Sequence, residues 1–267
     1  MNIYNPLQVR EIFHLEFLRW LSKKIKAKNY ALKGGVNLRF FFNSFRYSQD
    51  MDLDVSGIRV DVLKDIVMGI LQAPSFQAAI KPFGVERVVA PDISKAKQTE
   101  TTQRFKLHLI ASSGEDFFTK VEFSRRGFKG EAAVEAVSDV ILRSYKIPPL
   151  LVPHYVIQSA IAQKIEALVT RSVTQARDVF DLYILSSQYD EAELQKFKGS
   201  GLNDIADSNK LIKGRGNIFE ISFGQFRDTV LSYLAPEDQE IYKTATSWDE
   251  ICLKVANFID ELKGRYA

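Results

Sequence analysis

Acidic and apolar residues alternate strictly in Asp50-Met51-Asp52-Leu53-Asp54-Val55. Successive side chains of a β-strand point to opposite faces, so Asp50, Asp52 and Asp54 project one way while Met51, Leu53 and Val55 anchor the strand from the other. Carboxylates at i and i+2 on one face repel each other at neutral pH unless solvent or a cation screens them, and an oxygen-preferring divalent cation is the usual partner. The bland alternatives are an exposed edge-strand face or a loop of helix-capping aspartates. A calcium loop of the EF-hand kind fails at two positions: Val55 stands where the sharp glycine turn is needed and Asp61 where the closing glutamate belongs.

A further carboxylate sits between two apolar residues in Val121-Glu122-Phe123. On a strand beside the first, Glu122 could share a metal site with Asp50 and Asp52; opposite Lys120 or Arg104 it would be an ordinary paired acid. The glycine pair Gly34-Gly35 lets the backbone approach a ligand closely, and successive N–H groups at such a turn can bind phosphate oxygens. It lacks the spacing and the terminal Lys-Ser/Thr of a Walker loop. Taken together, a glycine turn, an Asp-x-Asp strand and a later apolar-flanked acid suggest the two-metal arrangement that aligns an attacking oxygen with the α-phosphate of a nucleotide. Metals and positive side chains then stabilise the charge that develops in flight.

The elements that must position these residues follow from periodicity. Val9, Ile12, Phe13, Phe17, Leu18, Leu21 and Ile25 recur at helical spacing and predict an amphipathic helix over 7–25. The basic run Lys23, Lys24, Lys26 and Lys28 reads as its solvated end, with an RNA contact as the alternative. Ala31-Leu32-Lys33-Gly34-Gly35 reads as a turn leading into an apolar stretch, 36–42, and then into the acidic strand, 48–55. A helix is predicted over 60–70. Strands are predicted over 104–110 and 117–123, antiparallel across the hairpin-like Ser112-Ser113-Gly114-Glu115-Asp116.

After Ile147-Pro148-Pro149 the pattern is almost wholly helical, with helices predicted over 154–169, 176–186, 192–197, 223–234 and 248–262. Gly199-Ser200-Gly201 and Lys213-Gly214-Arg215-Gly216 read as loops. The expectation is an α+β chain: residues 1–147 as a catalytic domain with a small mixed sheet, and residues 148–267 as a helical bundle.

The chain has 267 residues, 46% hydrophobic and 26% charged, with no run long enough for a membrane helix, so a soluble protein is expected. No basic-then-apolar secretory signal follows Met1, and the expectation is a cytoplasmic location. Three scattered histidines and a single cysteine, Cys252, supply neither a zinc-type cluster nor a disulfide, and Cys252 reads as a small core residue. A formal charge of +3 does not by itself announce a nucleic-acid binder. The local segment containing Arg125, Arg126, Lys129, Arg143 and Lys146 favours a nucleic-acid acceptor through phosphate attraction.

Four blocks carry a family resemblance: Lys33-Gly34-Gly35; Arg46-Tyr47-Ser48-Gln49-Asp50-Met51-Asp52-Leu53; Lys120-Val121-Glu122-Phe123; and Lys164-Ile165-Glu166-Ala167-Leu168 with Arg171 and Arg177-Asp178-Val179-Phe180-Asp181-Leu182. In these the chain resembles the AbiEii/AbiGii nucleotidyltransferase toxins of type IV toxin–antitoxin systems, within the polymerase-beta-like superfamily. The resemblance runs from about Lys33 to Leu185.

It implies an enzyme that uses Mg2+ or Mn2+ to transfer a nucleotide from an NTP to RNA, at tRNA acceptor ends in characterised relatives, blocking translation in phage defence. An antitoxin encoded nearby is the implied partner. By the same resemblance Asp50 and Asp52 are the metal-binding pair, Lys33, Gly34, Gly35 and Ser48 are the triphosphate cradle, and Lys164 and Asp178 are the active-site residues of the second domain. Val36 departs from the pattern, in which a small hydroxyl residue follows the glycine pair.

One geometric condition bears on the fourth block. In one continuous helix, Lys164 and Asp178 would lie about 21 Å apart, too far to share a phosphate. The weak helix formers Thr170, Ser172, Val173 and Thr174 predict a break near Ser172 that would bring Asp178 back toward Lys164. Otherwise Lys164 and Arg171 form a solvated stripe, and Arg177, Asp178 and Asp181 a local ion-pair network. Two further functions stay open: the same core acting on a small-molecule or protein acceptor, and a non-catalytic interaction module. The latter would be expected to have lost a metal carboxylate or the glycine turn, and this chain has kept both.

Overall fold

The computed structural model describes residues 4–188 and 208–266. The chain divides into two compact units, one of Met1–Phe41, Tyr47–Phe128 and Ala132–His154, the other of Phe42–Arg46, Lys129–Glu131 and Tyr155–Ala267.

The first unit is built on a seven-stranded mixed sheet of order β3-β4-β5-β2-β1-β7-β6. Its strands are β1 (Tyr30–Lys33), β2 (Asp50–Val55), β3 (Val85–Val89), β4 (Thr102–Ala111), β5 (Asp116–Ser124), β6 (Ala132–Ala136) and β7 (Leu151–Tyr155). Strands β4 and β5 form the predicted antiparallel hairpin, pairing from Thr102↔Ser124 to Ile110↔Asp116. Strand β7, which follows the Pro148-Pro149 pair, runs parallel to β1 with Leu32 opposite His154.

The helices of this unit are α1 (Pro6–Leu21), α2 (Gly34–Phe41), α3 (Val60–Gln72), α4 (Pro74–Ile80) and α5 (Asp139–Ser144). Asn5 caps α1 through a reciprocal pair of hydrogen bonds with Gln8, and Pro6 occupies the first turn, where its missing N–H costs nothing. Buried Ile12, Phe13 and Phe17 of α1 and Leu63 and Val67 of α3 share one apolar core with Met51, Leu53 and Val55 of β2 and with Val121 and Phe123 of β5. The lysines that follow α1 are exposed, as the sequence predicts.

The second unit is helical beyond β7: α6 (Ile157–Thr170), α7 (Ala176–Ser186), α8 (Ser208–Ile218), α9 (Phe223–Thr229), α10 (Pro236–Tyr242) and α11 (Ala245–Tyr266). Phe180, Phe226 and Trp248 lie at its centre, with the Phe226 and Trp248 rings stacked 4.4 Å apart. Cys252 is buried there as a core residue, and burial pushes its thiol up to about 12. Among the described residues no helix is long and apolar enough to cross a membrane.

Four local expectations change. The helix expected over 223–234 ends at Thr229, with a 3-10 turn following at Leu231–Tyr233. Ala31 to Lys33 is a strand rather than a turn, and a helix begins at the glycine pair itself. The segment expected to open a helix at His154 starts as β7, because Val152, His154 and Tyr155 are buried in a sheet position, and the helix begins only at Ile157. Lys213-Gly214-Arg215-Gly216 lies inside α8 rather than in a loop. A Cβ on Gly214 would come within 3.2 Å of Val169 Cγ2, so the glycine allows α8 to press against α6. The helix expected over 192–197 and the Gly199-Ser200-Gly201 loop lie outside the described residues.

Candidate active site

Register decides what the acidic strand can do. Strand β2 pairs in parallel with β5, setting Asp50 beside Lys120 and Asp52 beside Glu122. It pairs antiparallel with β1, setting Lys33 beside Asp52, and β4 sets Arg104 beside Glu122. Directly opposed residues share a face of the sheet, so one row across four strands reads Lys33, Asp52, Glu122, Arg104. Asp50 and Lys120 form the next row. Met51 and Leu53 project into the core on the opposite face, which holds the acids in place.

Each carboxylate has a distinct environment. Asp54 is buried and pairs with Lys33, whose Nζ lies 2.5 Å from Asp54 Oδ1. Glu122 accepts a hydrogen bond from Arg104 Nε at 2.6 Å. Burial would raise its carboxyl, but Arg104 and Lys120 hold it below the usual carboxylate range. Asp52 behaves oppositely: burial, with Glu122 and Asp50 adding to it, holds its carboxyl above the usual range against the pull of Lys120 and Lys33. Lys120 Nζ stands 3.2 Å from Asp50 Oδ2 and 3.6 Å from Glu122 Oε2.

The glycine pair forms the junction of β1 and α2. Gly34 has φ +69°, and a Cβ there would lie 3.2 Å from Asp52 Oδ2, so both backbone conformation and space call for glycine. The first amides of α2 therefore start beside the Asp52 carboxylate, and a helix N-terminus favours anions. Val36, at the departure from the family pattern, is buried in the apolar core. Ser48 donates from Oγ to the Asp50 carbonyl at 2.8 Å, fixing the start of β2. A second tether acts on the same point: Thr119 Oγ1 donates to the Gln49 carbonyl at 2.7 Å and lies 3.2 Å from His14 Nε2. With the Thr119 proton so engaged, His14 must donate from Nε2.

The residues fit a hard divalent cation in part. The donors are all carboxylate oxygens, and Asp50 Oδ1 is buried with no hydrogen-bond partner. Yet among the described residues no group of three or more His, Cys, Asp or Glu side chains is arranged to hold a metal. Glu122 is drawn to Arg104, and the Lys120 ammonium stands between it and Asp50. Asp50 and Asp52 supply carboxylate oxygens on one face of β2, but Lys120 stands against Asp50, and Glu122 would have to turn from its basic partners to join them.

In the second unit α6 ends at Thr170 and α7 begins at Ala176, the predicted break. It brings Lys164 Nζ to 3.0 Å from Asp178 Oδ1 and 2.6 Å from Asp181 Oδ2. Arg46 holds Asp181 through hydrogen bonds of 2.9–3.0 Å, and Arg171 Nη1 lies 2.8 Å from Asp178 Oδ2. The result is a chain, Arg46–Asp181–Lys164–Asp178–Arg171, around two fully buried aspartates. Burial opposes charge on both Lys164 and Asp181, but each overrides it for the other: Asp181 and Asp178 hold the Lys164 ammonium above its ordinary value, and Arg46 and Lys164 hold the Asp181 carboxyl below its own. Lys164 is thus no solvated stripe, while Arg177 is exposed.

In the sequence Arg104 and Lys120 stand out only as alternative partners of Glu122, and Arg46 only as the first residue of a matching block. The i, i+2 spacing of Lys120 and Glu122 was the available signal for the first pair. Nothing in the sequence joins Arg46 to Asp181, which is 135 positions away. The basic segment is largely engaged: Arg125 donates to Gln103 and to the Ile58 carbonyl, Lys129 pairs with Glu166, and Arg143 pairs with Asp139. Arg126 and Lys146 are exposed.

The first unit is an α+β domain that opens a helix at a glycine pair, beside carboxylates set in register on neighbouring strands, and the family whose pattern it matches is one of nucleotidyltransferases. The family described as "Nucleotidyl transferase AbiEii toxin, Type IV TA system" matches residues 16–240, and the chain belongs to that family. No curated protein matches it. Among solved structures it is similar to the nucleotidyltransferase toxin MenT4 of Mycobacterium tuberculosis (TM-score 0.60, 16% identity, covering 98% of this chain and 87% of that one). JHP933 of Helicobacter pylori has TM-score 0.58 and 18% identity, covering 99% and 97%. A putative nucleotidyltransferase of H. pylori has TM-score 0.56 and 17% identity, covering 96% of each chain. At these identities the likeness is one of fold.

Proposed function

We propose that this chain transfers a nucleotide from a nucleoside triphosphate to an RNA acceptor, the 3′ end of a transfer RNA, in a reaction that requires Mg2+ or Mn2+. The observation that carries the reading is the register that sets Asp52 beside Glu122, with Asp50 one pleat away and Gly34 against the Asp52 carboxylate.

Asp50 and Asp52 would hold the metal, with Glu122 joining them once it turns from Arg104 and Lys120. Bound there, a divalent ion supplies positive charge against phosphate oxygens. The amides that open α2 offer donors to the triphosphate, and Lys33, beside Asp52 in register, adds charge at the same edge. Ser48 holds the first residue of β2 and completes the cradle. In the second unit Lys164 neutralises phosphate charge, exchanging one carboxylate partner for phosphate, and Asp178 orients the acceptor hydroxyl or takes its proton.

The RNA acceptor rests on family membership and on cations that phosphate can recruit. Exposed Arg126 and Lys146 are two, and the Arg143 pair with Asp139 is a surface ion pair weak enough for phosphate to replace. In the cell the reaction would block translation as a phage-defence toxin, restrained by an antitoxin encoded nearby.

The test incubates the protein with each radiolabelled ribonucleoside triphosphate, Mg2+ and total transfer RNA, with Asp52→Ala in parallel. Label on RNA that disappears in Asp52→Ala supports the reading and names the nucleotide. Label on a protein or small molecule instead would move the acceptor to that class. Triphosphate binding with no labelled product would leave an interaction module as the better account.

A further inference from the structure

Three basic side chains face the carboxylates of the sheet, and they are not held alike. Arg104 Nε sits 2.6 Å from Glu122 Oε2, within charge-assisted hydrogen-bond distance. Lys33 Nζ sits 2.5 Å from the buried Asp54. Lys120 is the loosest of the three, at 3.2 Å from Asp50 Oδ2 and 3.6 Å from Glu122 Oε2. Its second contact goes to the same Glu122 oxygen that Arg104 already holds. Asp52 is opposite Glu122 in register and two residues from Asp50 on the same face, so the Lys120 ammonium has all three acids as neighbours.

Position and access add to this. Lys120 precedes Glu122 by two residues on β5 and is the registered partner of Asp50, so it shares the face of both. Its side chain is 22% exposed, and those of Asp50 and Glu122 are 32% and 23% exposed, so a solvated ion can reach the group. Because an ammonium and a divalent cation compete for the same carboxylate oxygens, only one can stand between Asp50 and Glu122.

We propose that Lys120 is the resident cation that a divalent metal must displace, so that its ammonium sets the free-metal concentration at which the carboxylates load. The proposal rests on the metal-dependent reading given above. Without metal, Lys120 keeps three mutually repelling acids together; with metal it is a like charge beside the ion and lowers its affinity.

The experiment titrates Mn2+ alone into the full chain, without nucleotide, following free Mn2+ by electron paramagnetic resonance. Wild type is compared with Lys120→Met, Lys120→Gln, Lys120→Arg and Asp52→Asn, each first checked for folding by circular dichroism. The neutral variants are expected to bind Mn2+ about tenfold more tightly than wild type, and Lys120→Arg to stay near it. Without metal, the neutral variants should melt lower than wild type. Having two neutral variants keeps the test alive if one does not fold.

Unchanged or weaker Mn2+ binding in the neutral variants, while wild type binds and Asp52→Asn does not, overturns the role of Lys120 and leaves the metal reading standing. Failure of wild type, both neutral variants and Asp52→Asn alike to bind at millimolar Mn2+ overturns both.

Discussion

Lys164 Nζ lies 3.0 Å from Asp178 Oδ1, across the break that separates α6 from α7. The same ammonium reaches Asp181 at 2.6 Å, so removing it leaves two buried carboxylates facing Arg46 and Arg171 alone. Breaking a buried ion pair from one side costs about 3–5 kcal/mol. Lys164→Met should therefore lose stability on that scale in urea denaturation, and Lys164→Arg much less. A neutral variant as stable as wild type would show that the network does not hold in solution.

Gly34 gives a second prediction. An alanine there must accept φ +69°, which costs about 1–2 kcal/mol in an L-residue, and its Cβ would press on Asp52 Oδ2 from 3.2 Å. The carboxylate is the part able to move. Gly34→Ala should thus fold with a modest loss of stability while nucleotide transfer falls about a hundredfold, the scale of a displaced reacting group. Equal stability losses with full activity would detach Gly34 from the site.

The sequence made the acid strand, its apolar anchors and the β4–β5 hairpin legible, because period-two alternation reports both strand and face. It also made the α6–α7 break legible, from the weak helix formers between Lys164 and Asp178. Register was out of reach: alternation fixes which face Glu122 takes but not that Asp52 is its neighbour, since pairing depends on contacts distant in sequence. Gly34 and Gly214 show the same limit for glycine. Both read as loop signals, yet one starts a helix and the other sits within one, each decided by what its missing Cβ would have touched. The strand at Leu151–Tyr155 was hidden because its pairing partner, β1, lies more than a hundred residues earlier.

His14 yields a prediction in pH. It is buried and its imidazole is pushed down to about 3, first by burial and then by Arg10. Between pH 6.5 and about 3 the unfolded chain binds a proton at this histidine that the folded chain does not, so stability rises with pH across that window and is lost as pH falls. The slope is about 1.4 kcal/mol per pH unit. Replacing the ring with His14→Gln keeps an N–H donor for Thr119 and removes the titration. Between pH 7 and pH 5 wild type should lose about 2 kcal/mol more than His14→Gln in chemical denaturation. Parallel profiles would mean that His14 takes up its proton in the folded state.

Glu11 ties the glycine-led helix to the rest of the first unit. It is buried on α1, accepts from Arg39 Nε of α2 at 2.7 Å, and accepts from the Tyr145 hydroxyl at 2.6 Å. The Arg39 guanidinium lies 4.2 Å from the centre of the Tyr47 ring, one residue before Ser48. One carboxylate thereby fixes α2 and, through Arg39, the approach to β2, so both halves of the proposed triphosphate cradle depend on it. Glu11→Gln keeps the shape but removes the charge that holds Arg39, at a cost of about 1.5–3 kcal/mol. If the pair positions α2 for the triphosphate, KM for the nucleotide should rise about tenfold at 20 °C while kcat stays within about twofold. A purely structural tether would lower the melting temperature and leave both constants of the folded enzyme unchanged, and steady-state kinetics well below the melting transition separates the two.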